Sequence, residues 1–129
     1  MKISVVVAAS AVFLPVAGFG QTVDGNTLLR ACMSDQSDQV GFCAGYIIGV
    51  AEGIRYGISV PLFLGGEMGT EEINRLSDSI LSYCIPPEVE NGQAVEIVFR
   101  YLQDNPQNRH NPARQLIHFA LADAFPCPS

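Results

Sequence analysis

Lysine is nearly missing from this chain: Lys2 is the only one in 129 residues, and six arginines stand against thirteen acidic side chains. That balance argues against a surface for phosphate backbones or anionic lipid, both of which need clustered cations. It fits ordinary solubility, or a cationic protein partner. Histidine is scarce too, His110 and His118 being the only two, and successive cysteines are 11, 41 and 43 residues apart. No close Cys-x-x-Cys or Cys/His pair exists on which a zinc site could be built. There is no alternation of period two long enough for a sheet, no internal repeat and no low-complexity tract.

What the chain does have begins with an export signature. Lys2 gives a positive start, Ile3 to Val16 is almost wholly apolar, and Gly18-Phe19-Gly20 puts small residues at the −3 and −1 positions. This predicts a signal peptide over residues 1–20 with cleavage before Gln21. The apolar run is shorter than the roughly 20 residues a spanning helix requires, and Pro15 interrupts it. The residue immediately after the cleavage point is Gln21 and not a cysteine, which speaks against a lipoprotein. Taking residues 1–20 from the 129 leaves 109, a single domain with a side-chain net charge of −7.

The remainder reads as all-α, a small bundle of about five helices. Asp24 is a plausible N-cap for a short helix over Gly25–Met33 that carries Leu28, Leu29 and Cys32 on one side. A longer helix is expected over Gln39–Tyr56, with Gly41, Gly45, Gly49, Gly53 and Gly57 at every fourth position. Residues four apart share a face, so the glycines form a smooth strip for close helix packing. Each interior glycine costs about 0.5–1 kcal/mol against alanine, and the strip therefore needs a compensating contact. Packing inside the domain is the first expectation, and a second copy of the protein is the next. A membrane-spanning reading of the strip is opposed by Glu52 and Arg55.

Pro61, Gly65, Gly66 and Gly69 predict a loop over residues 58–69, although Leu62, Phe63, Leu64 and Met68 within it are large and apolar. Such a loop either tucks under the domain or presents a contact surface. Thr70 then reads as the N-cap of a third helix with a buried stripe of Ile73, Leu76, Ile80, Leu81 and Cys84. Asn91 is the expected cap of a fourth, from Gly92 to Gln103, with Ala94, Val95, Val98, Tyr101 and Leu102 as its apolar positions. Asn111 and Pro112 open a fifth, whose stripe is Ala113, Leu116, Ile117, Ala120, Leu121 and Ala124.

Three chemistries compete for the cysteines. Metal ligation lacks the spacing, and a nucleophile would need an unpaired thiolate beside His110 or His118. Disulfides remain, and four cysteines allow three pairings. An antiparallel hairpin of the first two helices brings Cys32 beside Cys43, and one of the last two brings Cys84 beside Cys127. Those are the expected bridges; Cys32–Cys84 with Cys43–Cys127 is the pairing that would refute the hairpin argument.

In order along the chain, Leu28-Leu29-x-x-Cys32, Cys43-Ala44-Gly45-Tyr46-Ile47-Ile48-Gly49, Cys84-Ile85-Pro86, Gln93, Tyr101-Leu102, Asn105-Pro106, Ala120-Leu121 and Phe125-Pro126-Cys127 closely resemble the Rap/Tai family. These are small periplasmic immunity proteins of type VI secretion systems. The resemblance implies a periplasmic helical domain that is not an enzyme and needs no cofactor. It further implies binding and blocking of a peptidoglycan-cleaving amidase delivered by neighbouring cells, often as a homodimer, with a protruding segment closing the enzyme's cleft. The candidate contact residues are then Leu62, Phe63, Leu64 and Met68, with Glu67 as a charge partner. A stand-alone structural or chaperone-like periplasmic domain is the alternative.

Overall fold

The computed structural model describes residues 22–128, so the expected signal at residues 1–20 lies outside them. Within those residues the fold is all-α: α1 (Gly25–Cys32), α2 (Ser37–Leu64), α3 (Thr70–Leu81), α4 (Asn91–Asp104) and α5 (Ala113–Ala124), with one 3₁₀ turn at Pro106–Asn108. There is no strand among the described residues, only an isolated bridge between Asp24 and Pro112.

Each short helix contributes an apolar stripe to one core. Leu28 of α1, Ile47 of α2, Val98 and Leu102 of α4, and Leu116, Ile117 and Leu121 of α5 are fully enclosed, and Tyr83 from the α3–α4 connection joins them. Burial of each such side chain stabilises the fold by about 1.5–3 kcal/mol. Two expected stripe positions are exposed instead: Ile80 of α3, and Ala124, the last residue of α5.

Local chemistry sets the helix ends. The Thr27 amide donates to Asp24 Oδ1 at 2.7 Å, the N-cap that the sequence predicts, whereas Met33 is the cap after α1 rather than its last residue. The other predicted caps shift by one residue. Thr70 is the first residue of α3 behind Gly69, and Asn91 the first of α4 behind Glu90, whose amide donates to Gln93 Oε1 at 2.9 Å. Pro112 occupies the cap position of α5, and the Asn111 side chain instead donates to the Asn108 carbonyl. Arg109 closes the opposite end of α4, donating to the carbonyls of Leu102 and Gln103 at 2.5 and 2.7 Å. These are the carbonyls that a helix C-terminus leaves without an internal donor.

Two disulfides clasp the bundle, Cys32–Cys43 and Cys84–Cys127, with Cα separations of 5.1 and 4.8 Å. The hairpin pairing is therefore the one adopted, and the chain has no free cysteine. In the chain-entropy picture, each bridge stabilises by about 2–4 kcal/mol through restriction of the unfolded chain.

The first expectation for the glycine strip, packing inside the domain, is overturned. A Cβ added at Gly41, Gly45, Gly49, Gly53 or Gly57 meets nothing within 4 Å, because that side of α2 faces away from the bundle. The glycine on which the fold depends is Gly25. A Cβ there would run into the Leu116 side chain and lie 2.9 Å from the Arg109 carbonyl oxygen, where α1 crosses the turn before α5. Gly25→Ala is accordingly expected to destabilise the protein by about 1–3 kcal/mol, seen as a lower midpoint in urea. Gly41→Ala should be neutral or stabilising by up to about 1 kcal/mol, and equal effects at the two sites would refute this assignment.

The Asp24 carboxyl sits below the ordinary carboxylate value, chiefly because it accepts the Thr27 amide. A lowered folded-state value adds stability above the ordinary pKa of 3.8 that is lost as pH falls through the folded value. Asp24→Asn, which caps without charge, should thus lose less stability than the parent between about pH 4 and pH 2. Parallel melting curves across that range are the measurement.

Candidate partner-binding surface

The predicted loop over 58–69 is mostly helix. Helix α2 continues for eight residues past Tyr56, through Pro61 to Leu64, and turns only at Gly65 and Gly66, the latter at φ +78°. Proline has no amide hydrogen, so the Gly57 carbonyl loses its i+4 donor, but its fixed φ is itself helical. Contacts with α3 hold the extension. Arg55 pairs with Asp78 at 2.6 Å, and the hydroxyls of Ser59 and Ser77 lie 3.2 Å apart. Ser59 also donates to the Arg55 carbonyl at 2.9 Å. Ser77 is fully buried, so its hydroxyl needs such a partner.

The result is an α2–α3 hairpin that carries the five predicted contact residues at its tip. Leu62, Phe63 and Leu64 form the last turn of α2, and Glu67 and Met68 follow in the Gly65–Gly69 connection. Phe63 is 72% exposed and Leu64 75%, whereas Leu62 is half-buried. Large apolar side chains therefore stand well into water at the tip of the hairpin.

Below the tip, Tyr56, Val60 and Phe63 of α2 face Thr70, Ile73 and Asn74 of α3 across a groove of about 360 Å³. Tyr56 and Val60 are not among the sequence-based candidates: a helix ending at Tyr56 sets that residue apart from the tip, and in a loop over residues 58–69 Val60 has no defined face. Spacings of four and three on a continued helix would have placed both on one face with Phe63. Where α2 approaches α4, a second groove of about 130 Å³ includes Ile48, Ala51, Arg55, Tyr83, Ile85 and Ala94. Burial pushes the Tyr83 phenol above its ordinary value, with the Arg55 cation acting in the opposite direction.

Neither histidine sits beside a thiolate, because all four cysteines are bridged. His118 packs against Tyr83 and Phe119, with ring centroids 5.5 and 6.0 Å away. His110 lies exposed in the turn before α5. No cluster of three or more His, Cys, Asp or Glu able to hold a metal occurs among the described residues.

The described residues thus form a disulfide-clasped helical bundle with an apolar tip on its α2–α3 hairpin. The family model of the Rap1a immunity proteins matches residues 24–127, and the chain belongs to that family. The match spans all five helices and both bridges. No curated protein and no solved structure is significantly similar to it. Membership brings the coarse role of the family, binding of a protein effector, and the two disulfides suit an oxidising compartment.

The hairpin's stiffness is expected to depend on Arg55. Both members of its ion pair are more than a quarter exposed, so Arg55→Met should cost only about 0.5–1 kcal/mol. Amide exchange should accelerate in α3 while α4 and α5 keep their protection. Uniform acceleration across the molecule would count against this local role.

Proposed function

We propose that this protein is a periplasmic immunity protein that binds and inhibits a peptidoglycan amidase delivered by type VI secretion, and that residues 1–20 direct its export and are cleaved before Gln21. Family membership over residues 24–127 supports the immunity role. The observation that carries the proposed binding mode is the tip of the α2–α3 hairpin, where Phe63 and Leu64 are each more than 70% exposed.

A cleft enzyme is blocked most simply by a narrow, stiff projection that fills the cleft without offering a bond to cleave. The tip has that shape, and its apolar residues gain most by leaving water inside a partner's pocket. Leu62, Phe63, Leu64 and Met68 supply the apolar contact in this reading. Glu67 beside them, in a chain of net charge −6, suits a cationic rim around the cleft. The family's role speaks for binding rather than catalysis by this chain.

Phe63→Ala should weaken binding to the amidase encoded at the same locus by about 30-fold or more, the scale of a central aromatic anchor. The exposed position predicts a stability change within about 0.5 kcal/mol. Titration calorimetry with the purified amidase and a peptidoglycan-release assay read the two effects. Absence of a complex and of inhibition with the unaltered protein would overturn the proposal.

A further inference from the structure

The groove of about 130 Å³ between α2 and the start of α4 is sized for one side chain; an apolar cavity of about 150 Å³ is enough to hold a benzene molecule. Ile48 and Ala51 of α2, Ile85 and Val89 of the α3–α4 connection, and Ala94 of α4 make its walls apolar. One polar group is set among them. Tyr83 is only 2% exposed, and its ring is fixed against His118 with centroids 5.5 Å apart. Its phenol oxygen has no hydrogen-bond partner in the protein, because Arg55 and Asp78, the charges that act on it, are paired with each other. No sealed side-chain oxygen lacks a partner among the described residues, so this hydroxyl opens onto the groove that Tyr83 lines. A buried hydroxyl without a protein partner is left for water or a ligand.

Charge decides what kind of group that ligand carries. Glu52, Arg55 and Glu90 line the groove beside Tyr83. Arg55 is neutralised by Asp78 at 2.6 Å, whereas Glu52 and Glu90 are exposed and make no ion pair among the described residues. Glu52 comes from the α2 wall and Glu90 from the cap of α4, so two unpaired carboxylates flank one buried hydroxyl. An anion there would meet both carboxylates; a cation is attracted by them.

We propose that this groove receives a lysine side chain of a protein partner, its alkyl stem on the apolar walls and its ammonium on the Tyr83 hydroxyl and the carboxylates of Glu52 and Glu90. An ammonium has three donors and no acceptor. The groove supplies three acceptors and no unpaired cation. A flexible stem of four carbons with a compact charge at its end suits so small a space better than the planar fork of arginine. Glu52, Glu90 and Asn91 at the edge are exposed, so a side chain carried on another protein's surface reaches the groove. The protein source of the lysine rests on the reading proposed above, whereas the chemistry of the site does not. Glu52 precedes Phe63 by eleven residues of α2, about 16 Å, so the groove gives one partner a second hold that fixes its orientation about that helix.

The test is an amide NMR titration of the disulfide-bonded protein with the blocked peptide acetyl-Gly-Lys-Gly-amide, with its norleucine counterpart, and with n-butylammonium chloride as a free amine. The lysine peptide should shift the signals of Ala51, Ile85 and Ala94 with a dissociation constant of about 1–10 mM, the scale of a single side chain. The norleucine peptide keeps the stem without the charge and should bind at least about tenfold more weakly. Tyr83→Phe removes only the oxygen and should weaken the lysine peptide about fivefold or more, with an unchanged melting midpoint because no hydrogen bond within the protein is lost. Glu52→Gln, at an exposed position, should have the same effect on binding and serves if the first variant fails to fold. Equal binding of the two peptides, binding indifferent to both variants, or shifts confined to other surfaces would overturn the site. Binding of n-butylammonium without the lysine peptide would overturn the protein source and assign the groove to a free amine. None of these readouts uses the amidase, so failure of the inhibition assay and failure of this site are told apart.

Discussion

The bond between Cys32 and Cys43 joins the short α1 to the root of α2, where Cys43 and Ile47 are the buried side chains of a 28-residue helix. Both lie in its first eleven residues, and beyond them Val50, Ala51, Ile54 and Ile58 are only partly buried against the core. The bundle alone gives the outer half little support. Arg55 with Asp78 and Ser59 with Ser77 attach it to α3 instead, a brace in place of a core. Exposure of the tip and of the groove beneath it follows from that decline in support along the helix.

Much of this was legible in the residues, and the parts that were not share a cause. Helices α1, α4 and α5 carry dense apolar stripes at helical spacing, and their burial follows that spacing closely. The disulfide pairing followed because cysteines at helix ends have few possible neighbours in an antiparallel hairpin. Pro61 was read as a breaker, which it is for an isolated helix. Here its φ suits the helix, and partners 18 and 23 residues away in sequence hold the segment that it weakens. Local propensity has no access to such partners.

The glycine ladder failed as a prediction for a different reason. A repeat of four identifies a helix face but is silent about what covers it, so an inward and an outward strip look identical in the sequence. Gly25 shows the converse. It belongs to no pattern, yet it is the glycine whose missing side chain lets α1 lie against Leu116 and the turn at Arg109. The predicted caps at Thr70, Asn91 and Asn111 missed by one residue because adjacent polar or turn-forming residues compete for the same role.

The clasp between Cys84 and Cys127 makes the intervening chain, with α4 and α5, a closed covalent ring. Tension applied between the two ends of the described chain crosses from one sulfur to the other and never loads those helices. The smaller ring at Cys32–Cys43 shields its own turn in the same way. Between the rings, the extensible section is the run from residue 43 to residue 84, which is most of α2 and all of α3. The protein's mechanical compliance is thereby concentrated in the hairpin that bears its exposed apolar tip, while the clasped bundle behind it acts as a fixed mount.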